Sequence, residues 1–290
     1  MIILTPAKLN LYLKILNKRP DGFHELETLM TCIDIYDKLE LNPIKKNIKF
    51  ITNKPFGDAC NDLCYKAADL FFRHHNNTCG IEIHLTKNIP DGAGLGGGSS
   101  DAAAILIGMQ KIFGKPTIPI ENIAAKLGSD VNFFIDGLTA WCDGRGEKIN
   151  TITDAPALFA VVIFPKIHTP TPAVFKQFAL TQRAHKVRLN DSQRSIFFAK
   201  PTFSNDLEQA ACEYNNELKS CRERLKNLIP NNQIMLTGSG SAFFIICKSK
   251  KEAQNIKAKI NMEKWKWPTF LVETNKQMIF KNKTRQGVCE

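Results

Sequence analysis

A run of glycines that leads into a helix is the part of the chain with the clearest chemistry. Five glycines lie close together, at Gly92, Gly94, Gly96, Gly97 and Gly98. A backbone without Cβ atoms approaches a ligand closely and adopts positive φ at little cost. Two serines and an alanine run follow and predict a helix. Unpaired N–H groups at a helix start favour an anion, most often phosphate, so the sequence predicts a phosphate-binding loop.

Three better-known glycine-rich motifs do not fit this loop. A Walker loop requires Gly-Lys-Ser or Gly-Lys-Thr, whereas serine follows the last glycine here. Gly92, Gly94 and Gly97 satisfy G-x-G-x-x-G, but a dinucleotide-binding fold needs a strand that ends in an acidic residue about 20 residues later. Residues 113–120 form a loop with Gly and Pro instead. The sequence has no His-Arg-Asp, which excludes a protein-kinase catalytic loop.

The elements around the loop place other polar residues near it. Apolar residues alternate over 5–15 and predict a half-buried strand, with Lys8 and Asn10 side by side on its polar face. Residues 19–22 predict a turn, and residues 81–85 predict the strand that enters the glycine loop. Elsewhere in the first half we expect a strand over 25–41, helices over 61–75, 100–113 and 120–127, and strands over 133–141 and 157–164.

Three prolines within residues 165–172 predict a break in regular structure, at a domain change or a loop in the cleft. After it we expect helices around 175 and over 205–212, 217–228 and 251–260, and strands over 233–236, 242–247 and 269–273. This order is typical of a ferredoxin-like domain. The chain of 290 residues is long enough for two domains, and we place them at 1–160 and 161–290.

Composition limits the classes of protein to consider. The content of 43% apolar and 23% charged residues is typical of a globular protein. The N-terminal residues lack the pattern of a signal or transit peptide, and the apolar runs are too short to span a bilayer. We therefore expect a cytoplasmic protein of bacterial type. Nine cysteines without a C-x-x-C pair indicate reduced structural thiols rather than a metal site.

The basic residues are concentrated near the C-terminus. The net charge is +11, and residues 248–285 hold eleven Lys or Arg against three Glu. A nucleic-acid surface is one interpretation. The other is a solvated, lysine-rich helix face, which we favour because arginines and interleaved aromatic residues are sparse there.

The glycine loop, with Pro90 before it, Gly-Leu-Gly at 94–96 and Ser-Ser at 99–100, resembles the second signature of the GHMP small-molecule kinases. Other blocks are similar to the branch of this family that acts on a cytidine diphosphate ester of methylerythritol. They are residues 6–13, 19–29, 128–131, 171–176, 203–206 and 236–240.

The resemblance implies a fold and a reaction. The fold is the α+β, two-domain GHMP kinase fold, with an N-terminal mixed α/β domain that carries the phosphate loop and a ferredoxin-like C-terminal domain. The reaction is phosphorylation of the 2-hydroxyl of the cytidyl ester by ATP, with Mg²⁺, in the non-mevalonate route to isoprenoid precursors. The expected partners are these small molecules, without nucleic acid or membrane, and the expected state is a monomer or weak homodimer.

The resemblance also assigns roles to residues, while the Mg²⁺ ligands stay open between Ser99, Ser100 and others. The catalytic residues are Lys8 and Asp130. The ATP-binding residues are Asn61, Lys87, Pro90, Asp91, Gly92, Ala93, Gly94, Leu95, Gly96, Gly97, Gly98, Ser99 and Ser100. The substrate-binding residues are Asn10, Phe23, His24, Thr171, Pro172, Phe175 and Lys176.

Residue types alone permit plainer roles. Asp130 follows Gly-Ser and is a candidate helix cap, and Lys8 is a candidate solvent-facing lysine. Phe23 and Phe175 are candidates for ordinary hydrophobic-core residues, and His24 is a candidate for an ordinary surface histidine. The chain also departs from the common family pattern at Phe23, Asp91 and Asn132. Another GHMP kinase, for homoserine or mevalonate, is the alternative within the family.

Overall fold

Two sheets organise the residues that the computed structural model describes, which are 1–54, 58–75, 79–181 and 187–281. The strands are β1 (Ile2–Lys18), β2 (His24–Ile44), β3 (Ile48–Thr52), β4 (Gly80–Thr86), β5 (Thr139–Gly144), β6 (Lys148–Thr151), β7 (Phe159–Ile163), β8 (Ser204–Asn205), β9 (Met235–Leu236), β10 (Phe243–Cys247), β11 (Thr269–Glu273) and β12 (Ile279–Lys281). The helices are α1 (Leu63–Arg73), α2 (Gly97–Phe113), α3 (Ile120–Leu127), α4 (Val131–Asp136), α5 (Thr171–Thr181), α6 (Asp191–Ser195), α7 (Leu207–Tyr214), α8 (Asn216–Leu228) and α9 (Lys250–Met262).

The first sheet has eight strands and is built on the long antiparallel hairpin of β1 and β2. Its main path runs β12-β1-β2-β4-β3, with β5 also paired to β2, β6 to β5, and β8 to β1. Helix α2 packs on β1 and β2 and contacts α1, α3 and α4. The alanines at positions 102, 103 and 104 of α2 are fully buried, and their small side chains allow the helix to lie close to its neighbours.

The second sheet has four antiparallel strands in the order β11-β7-β10-β9. On β7, Ala160 and Val162 join the core between the two sheets, whereas Val161 and Ile163 join a core shared with helices α5, α7, α8 and α9. Because both faces of these strands are covered, their sequences are continuous apolar runs rather than alternating ones. The lysine-rich α9 buries Ala253, Ile256 and Ile260 and exposes most of its lysines.

Strand β1 of the first sheet is buried on both faces, and this corrects one expectation. The prediction of a strand over 5–15 is confirmed, but its polar face is not open to solvent: Lys8 and Asn10 are only 3% exposed. The glycine loop and the segment around Thr237 cover that face. Hydrogen bonds from Lys8 N to Leu95 O and from Asn10 N to Thr237 Oγ1 hold them there. A period-two pattern does not show whether other segments cover the polar face.

The expected strand over 133–141 is wrong in its first half. Residues Val131–Asp136 form helix α4, which ends at Gly137 with φ +69°, and only Thr139–Gly144 are a strand. A short apolar run fits a buried strand and a buried helix equally well. Here Phe133 and Phe134 are both buried in the core that includes α2, which settles the choice in favour of the helix.

The proline-rich segment 165–172 is irregular up to Pro170, as predicted, but α5 begins at Thr171. Pro172 therefore lies in the first turn of a helix, where its missing N–H has no intrahelical role. Strands β3, β6, β8 and β12 and helix α6 were not expected. Residue 160 lies within β7, and β12 returns to β1 in the first sheet, so the division of the chain at residue 160 stays a prediction.

Two classes of feature are absent from the described ranges. None of their helices combines the length and apolar character that crossing a bilayer requires. Nor do three or more His, Cys, Asp or Glu side chains there gather into a metal-binding group.

Most of the thiols are buried. Cys32, Cys64, Cys142, Cys212, Cys221 and Cys247 lie inside the protein, Cys79 is half-buried and Cys60 is exposed; Cys289 lies outside the described residues. Burial raises the pKa of Cys212 and Cys221 to about 11 and that of Cys247 to about 12. These thiols are therefore protonated near neutral pH and react slowly, because the thiolate is the nucleophile.

We expect the protein with Cys60→Ser, Cys79→Ser and Cys289→Ser to keep its turnover number and to react only slowly with iodoacetamide at pH 8. The measurement is mass-spectrometric labelling in parallel with activity. Full inactivation that follows the labelling of one buried cysteine would contradict a structural role for these thiols.

Candidate active site

The glycine loop has the backbone conformation that the sequence predicts. Gly92, Gly94 and Gly96 have φ values of +64°, +75° and +72°, a region that side chains disfavour. Helix α2 begins at Gly97, three residues before the predicted start, and Gly96 at its N-cap position provides no side-chain cap. Within the described structure the first backbone bond of the helix runs from Ser100 N to Gly96 O. The N–H groups ahead of it are available to an anion.

Two other segments fix the loop in place. Lys8 N donates to Leu95 O at 2.9 Å, and Ala242 N donates to Ala93 O at 3.0 Å. The contacts are tight, because a Cβ on Gly94 would lie 2.2 Å from Thr237 O. A Cβ on Gly96 would lie 2.9 Å from Lys8 Cγ. The loop is thus held between β1 and the turn that joins β9 to β10.

Lys8 and Asp130 meet at the end of this loop. Lys8 Nζ lies 3.7 Å from Asp130 Oδ2, and the side chains are 4% and 34% exposed. Lys8 Nζ also donates to Asn10 Oδ1, and Asn10 Nδ2 donates to Thr28 Oγ1 at 3.0 Å. Burial lowers the pKa of Lys8, and the negative charge of Asp130 opposes that shift.

Asp130 precedes α4, but its carboxylate makes no capping hydrogen bond to the described backbone of that helix. The helix-cap alternative is therefore wrong. The solvent-facing alternative for Lys8 is also wrong, because its side chain is buried.

A pocket of about 680 Å³ opens beside this pair. Both predicted catalytic residues line it, and so do all seven predicted substrate-binding residues, which are Asn10, Phe23, His24, Thr171, Pro172, Phe175 and Lys176. Of the predicted ATP-binding residues, Gly94 and Gly96 reach the same pocket. The cavity thus connects the glycine loop, the Lys8–Asp130 pair and a distant aromatic end.

Comparison with known proteins agrees with this geometry. The family model described as the GHMP kinases N terminal domain matches residues 62–137. A 4-diphosphocytidyl-2-C-methyl-D-erythritol kinase from Burkholderia mallei is 35% identical over 264 residues, which cover 89% of each chain. The chain belongs to the 4-diphosphocytidyl-2-C-methyl-D-erythritol kinase family.

Solved structures support the same assignment. A crystal structure of 4-(cytidine 5'-diphospho)-2C-methyl-D-erythritol kinase matches with a TM-score of 0.80 and 33% identity, covering 95% of this chain and 100% of that one. A homoserine kinase from Cytophaga hutchinsonii matches with a TM-score of 0.63 but only 15% identity, over 96% of each chain, and shows the fold alone. The expected GHMP kinase fold is confirmed.

The aromatic end of the kinase's pocket is built from a turn and a helix. Phe23 lies on the turn between β1 and β2 and is 51% exposed, which excludes a core role. The Arg145 guanidinium lies 4.7 Å from the centre of its ring. Phe175 lies on α5, as the expected helix around residue 175 implies, and its ring stacks on that of His24, with 5.1 Å between the ring centres and 29° between the planes. Burial, and then the charge of Lys18, lower the pKa of His24, so this imidazole is neutral at pH 7.

The predicted nucleotide side contains a buried charge cluster. Lys87 Nζ lies 2.9 Å from Asp101 Oδ2 and also pairs with Asp37. Although burial opposes it, these two carboxylates raise the pKa of Lys87. Asp91 lies 3.9 Å from the same ammonium group.

Asn61, in contrast, is exposed on a 3₁₀ turn before α1. A contact of Lys87 and Asn61 with adenine stays a prediction. The pairing of Lys87 leaves its stem and backbone, rather than a free ammonium group, to make that contact.

Some pocket residues were not predicted. Arg145 and Gly146, on the turn between β5 and β6, line the pocket, and Gly238 and Ser239 line it near Lys8. Ser239 Oγ lies 2.7 Å from Thr171 Oγ1. The Gly-Ser-Gly sequence between two strands was a usable signal for that second turn, whereas nothing local distinguishes Arg145 from another loop arginine.

Gly98 offers a clean test of phosphate binding by the loop. A Cβ on Gly98 would have Leu63 Cδ1, at 3.6 Å, as its nearest described neighbour, so Gly98→Val fits the fold, whereas a substitution at Gly96 would displace Lys8. We expect Gly98→Val to weaken ATP binding about tenfold or more, because the side chain blocks phosphate from charge-assisted N–H contacts. Calorimetric titration with a non-hydrolysable ATP analogue measures this.

The control is binding of the second substrate to the same variant, which should not change. Unaltered affinity for the ATP analogue would place the phosphates elsewhere.

Proposed function

We propose that this kinase transfers the γ-phosphoryl group of ATP to the 2-hydroxyl of 4-(cytidine 5'-diphospho)-2-C-methyl-D-erythritol. The products are ADP and the 2-phosphate, in the non-mevalonate route to isoprenoid precursors. One observation carries the proposal: the Lys8–Asp130 pair lies in one pocket between a phosphate-type glycine loop and an exposed aromatic ring. Family membership supports the same donor and acceptor.

The phosphate end works mainly through the backbone. Phosphoryl transfer has a loose transition state, so the protein contributes position and charge stabilisation rather than covalent chemistry. The N–H groups around Gly97 and the N-terminal dipole of α2 meet the negative charge of the nucleotide. Because hydrogen bonds from β1 and from Ala242 hold the loop, its donors are oriented before ATP arrives.

The reacting hydroxyl is assigned to Lys8 and Asp130. The tertiary alcohol is a poor nucleophile, and Asp130 accepts its proton as the bond to phosphorus forms. Lys8 Nζ donates a hydrogen bond to Asn10 Oδ1, which fixes its position beside Asp130. Its positive charge orients either the hydroxyl or an oxygen of the γ-phosphate.

The residues at the start of α2 fit a magnesium ion carried by ATP. Ser100 Oγ is buried and has no hydrogen-bond partner among the described atoms, and hydroxyl oxygen is a suitable ligand for Mg²⁺. Ser100 is therefore the residue that we expect to hold the ion together with phosphate oxygens. When bound, the ion would neutralise part of the negative charge of the phosphates.

The cytosine end is assigned to Phe23, Phe175 and His24. Aromatic stacking binds any base, so the choice of cytosine must come from hydrogen bonds. His24, which follows Phe23 in the chain and stacks on Phe175, is the candidate for these hydrogen bonds. Lys176 and Lys18 also line the pocket, and their positive charges suit the diphosphate. We expect small molecules as the only partners and a monomer or weak homodimer.

The direct test is ADP release in a coupled assay with the cytidyl substrate, homoserine and mevalonate as acceptors. Turnover with the cytidyl substrate alone supports the proposal. Comparable turnover with homoserine or mevalonate would assign the chain to another reaction of the wider family.

We expect Asp130→Asn and Lys8→Ala to lower kcat about 10²- to 10⁴-fold, the usual range for a general acid or base, while nucleotide binding persists. Single-turnover kinetics measure the first effect and calorimetry the second. Near-normal kcat in Asp130→Asn would remove that residue from the chemistry.

The pair also predicts a pH dependence. Activity requires protonated Lys8, whose pKa is lowered, so activity should fall as the pH rises through a value below about 10.4, the pKa of an ordinary lysine. Because Asp130 supports the charge on Lys8, the residual activity of Asp130→Asn should fall at still lower pH. An unmoved alkaline limb would show that the pair is not coupled.

We expect Phe23→Ala to raise KM for the cytidyl substrate about tenfold, because one base-stacking contact is lost. KM for ATP and the melting temperature should stay unchanged, since Phe23 is exposed and lies on the turn between β1 and β2 rather than on the glycine loop. Steady-state kinetics against each substrate measure the split. A rise in KM for ATP alone would mean that the two ends of the pocket are assigned in reverse.

A further inference from the structure

Two carboxylates lie directly opposite each other behind the substrate pocket. Glu27 on β2 pairs in register with Asp143 on β5, and Glu27 is fully buried. Like charges directly opposite each other on neighbouring strands repel, and a buried carboxylate needs a partner. The proposed mechanism uses neither residue. Without a cation between them, the two strands would be forced apart at this point.

Arg194 on α6 supplies that cation. Its Nε donates to Glu27 Oε1 at 3.0 Å, and its Nη1 and Nη2 donate to the two oxygens of Asp143 at 3.1 Å and 2.7 Å. The guanidinium also lies 5.0 Å from the centre of the Trp141 ring. Leu189 N donates to the remaining oxygen of Glu27 at 3.1 Å. The planar fork of arginine suits such paired bonds, which a lysine cannot reproduce.

A second arm of the network reaches Phe23. Arg188 donates to Glu25 and, at 3.3 Å, to Asp143. Arg19 Nη1 donates to the other oxygen of Glu25 at 2.8 Å, and its Nε lies 3.1 Å from Asp21 Oδ2. Asp21 Oδ1 in turn accepts from Phe23 N at 3.1 Å. A continuous series of hydrogen bonds and ion pairs thus connects the turn that carries Phe23 to the segment before α6.

The same strands carry the pocket on their other side. Side chains alternate along a strand, so Leu26 and Thr28, which flank Glu27 and line the pocket, point away from Arg194. Asp143 begins the turn that carries Arg145, and Gly146 N donates to Asp143 O at 3.1 Å to close it. Arg145 covers Phe23 from this turn. The turn between β1 and β2, which carries Phe23, and the turn between β5 and β6, which carries Arg145, therefore depend on the same arginines, Arg188 and Arg194.

We infer that Arg194 and Arg188 are positioning residues for the base-binding end of the pocket. They hold β2, β5 and the turn that carries Phe23 at the separation that binding of cytosine requires. Neither arginine contacts the substrate. This inference rests on the proposed function for the identity of the base. It assigns the segment 188–194 to recognition of the acceptor and not to the phosphate end.

The test is Arg194→Met, which removes the charge and keeps much of the apolar stem. We expect KM for the cytidyl substrate to rise about tenfold, the loss of roughly one base contact. KM for ATP and kcat should stay within about twofold, because the glycine loop and Lys8 do not contact this network. Arg194→Lys should recover only part of the affinity, because lysine lacks the fork. Equal rises in both KM values, or a lower melting temperature with unchanged KM values, would overturn the inference.

Arg222→Met is the matched control. Arg222 makes a similar pair with Glu208 between α7 and α8, and neither residue lines the pocket. Its KM values should not change. If Arg194→Met does not fold, Arg188→Met is the second variant, because Arg188 is 43% exposed and its loss leaves Arg194 on Glu27. A selective rise in KM for the cytidyl substrate is again expected, and its absence would overturn the inference.

Calorimetric binding of cytidine diphosphate separates this inference from the proposed function. If the wild-type protein binds cytidine diphosphate but does not phosphorylate the methylerythritol ester, the proposed reaction fails. Weaker binding of cytidine diphosphate to Arg194→Met, with the Arg222→Met affinity unchanged, still supports the positioning role. Equal affinity of all three proteins would overturn it.

Discussion

The arrangement of the cleft depends on keeping the charge of Lys8 inside the protein. A buried ammonium group is tolerated only where partners replace water. Asn10 and Asp130 provide these partners, and they bring together the middle of β1 and the segment before α4. The backbone N–H of the same lysine holds Leu95 of the glycine loop. One residue thus fixes three segments that are distant in sequence, and Gly96 and Gly238 leave the space that its side chain occupies.

The two ends of the pocket are built in different ways. At the glycine loop the groups available to a ligand are backbone N–H groups, which the glycines leave open. At the aromatic end the pocket is lined by side chains on a turn and on α5. Rigid positioning matters at both ends because misplacement of reacting groups by about 1 Å costs large factors in rate. Buried alanines of α2 provide that rigidity at one end, and a network of arginines and carboxylates provides it at the other.

Much of this could be predicted from local sequence patterns. The glycine spacing predicts the loop, and alternation predicts β1, because both signals depend on neighbours in the chain. The helix α4 was not predictable from its apolar run, since packing against α2 decides its conformation. The buried partners of Lys87 and Arg194 could not be predicted from local sequence either, because they are distant in the chain. Asp37 is 50 residues from Lys87, and Glu27 is 167 residues from Arg194. The proposed roles of Lys8 and Asp130 rest on the order of the motifs, and the structure shows in addition that the two side chains are in contact.

The last described strand has a consequence for how the protein is made. β12 pairs with the first residues of β1, joining Ile2 to Lys281 and Leu4 to Ile279, and β8 pairs with β1 farther along. During synthesis, which proceeds from the N-terminus, the part of this β1 edge at Ile2 to Leu4 has no partner strand until β12 has left the ribosome. An open strand edge is a template for pairing with other chains. The nascent protein therefore carries an aggregation-prone strand edge until β12 pairs with it.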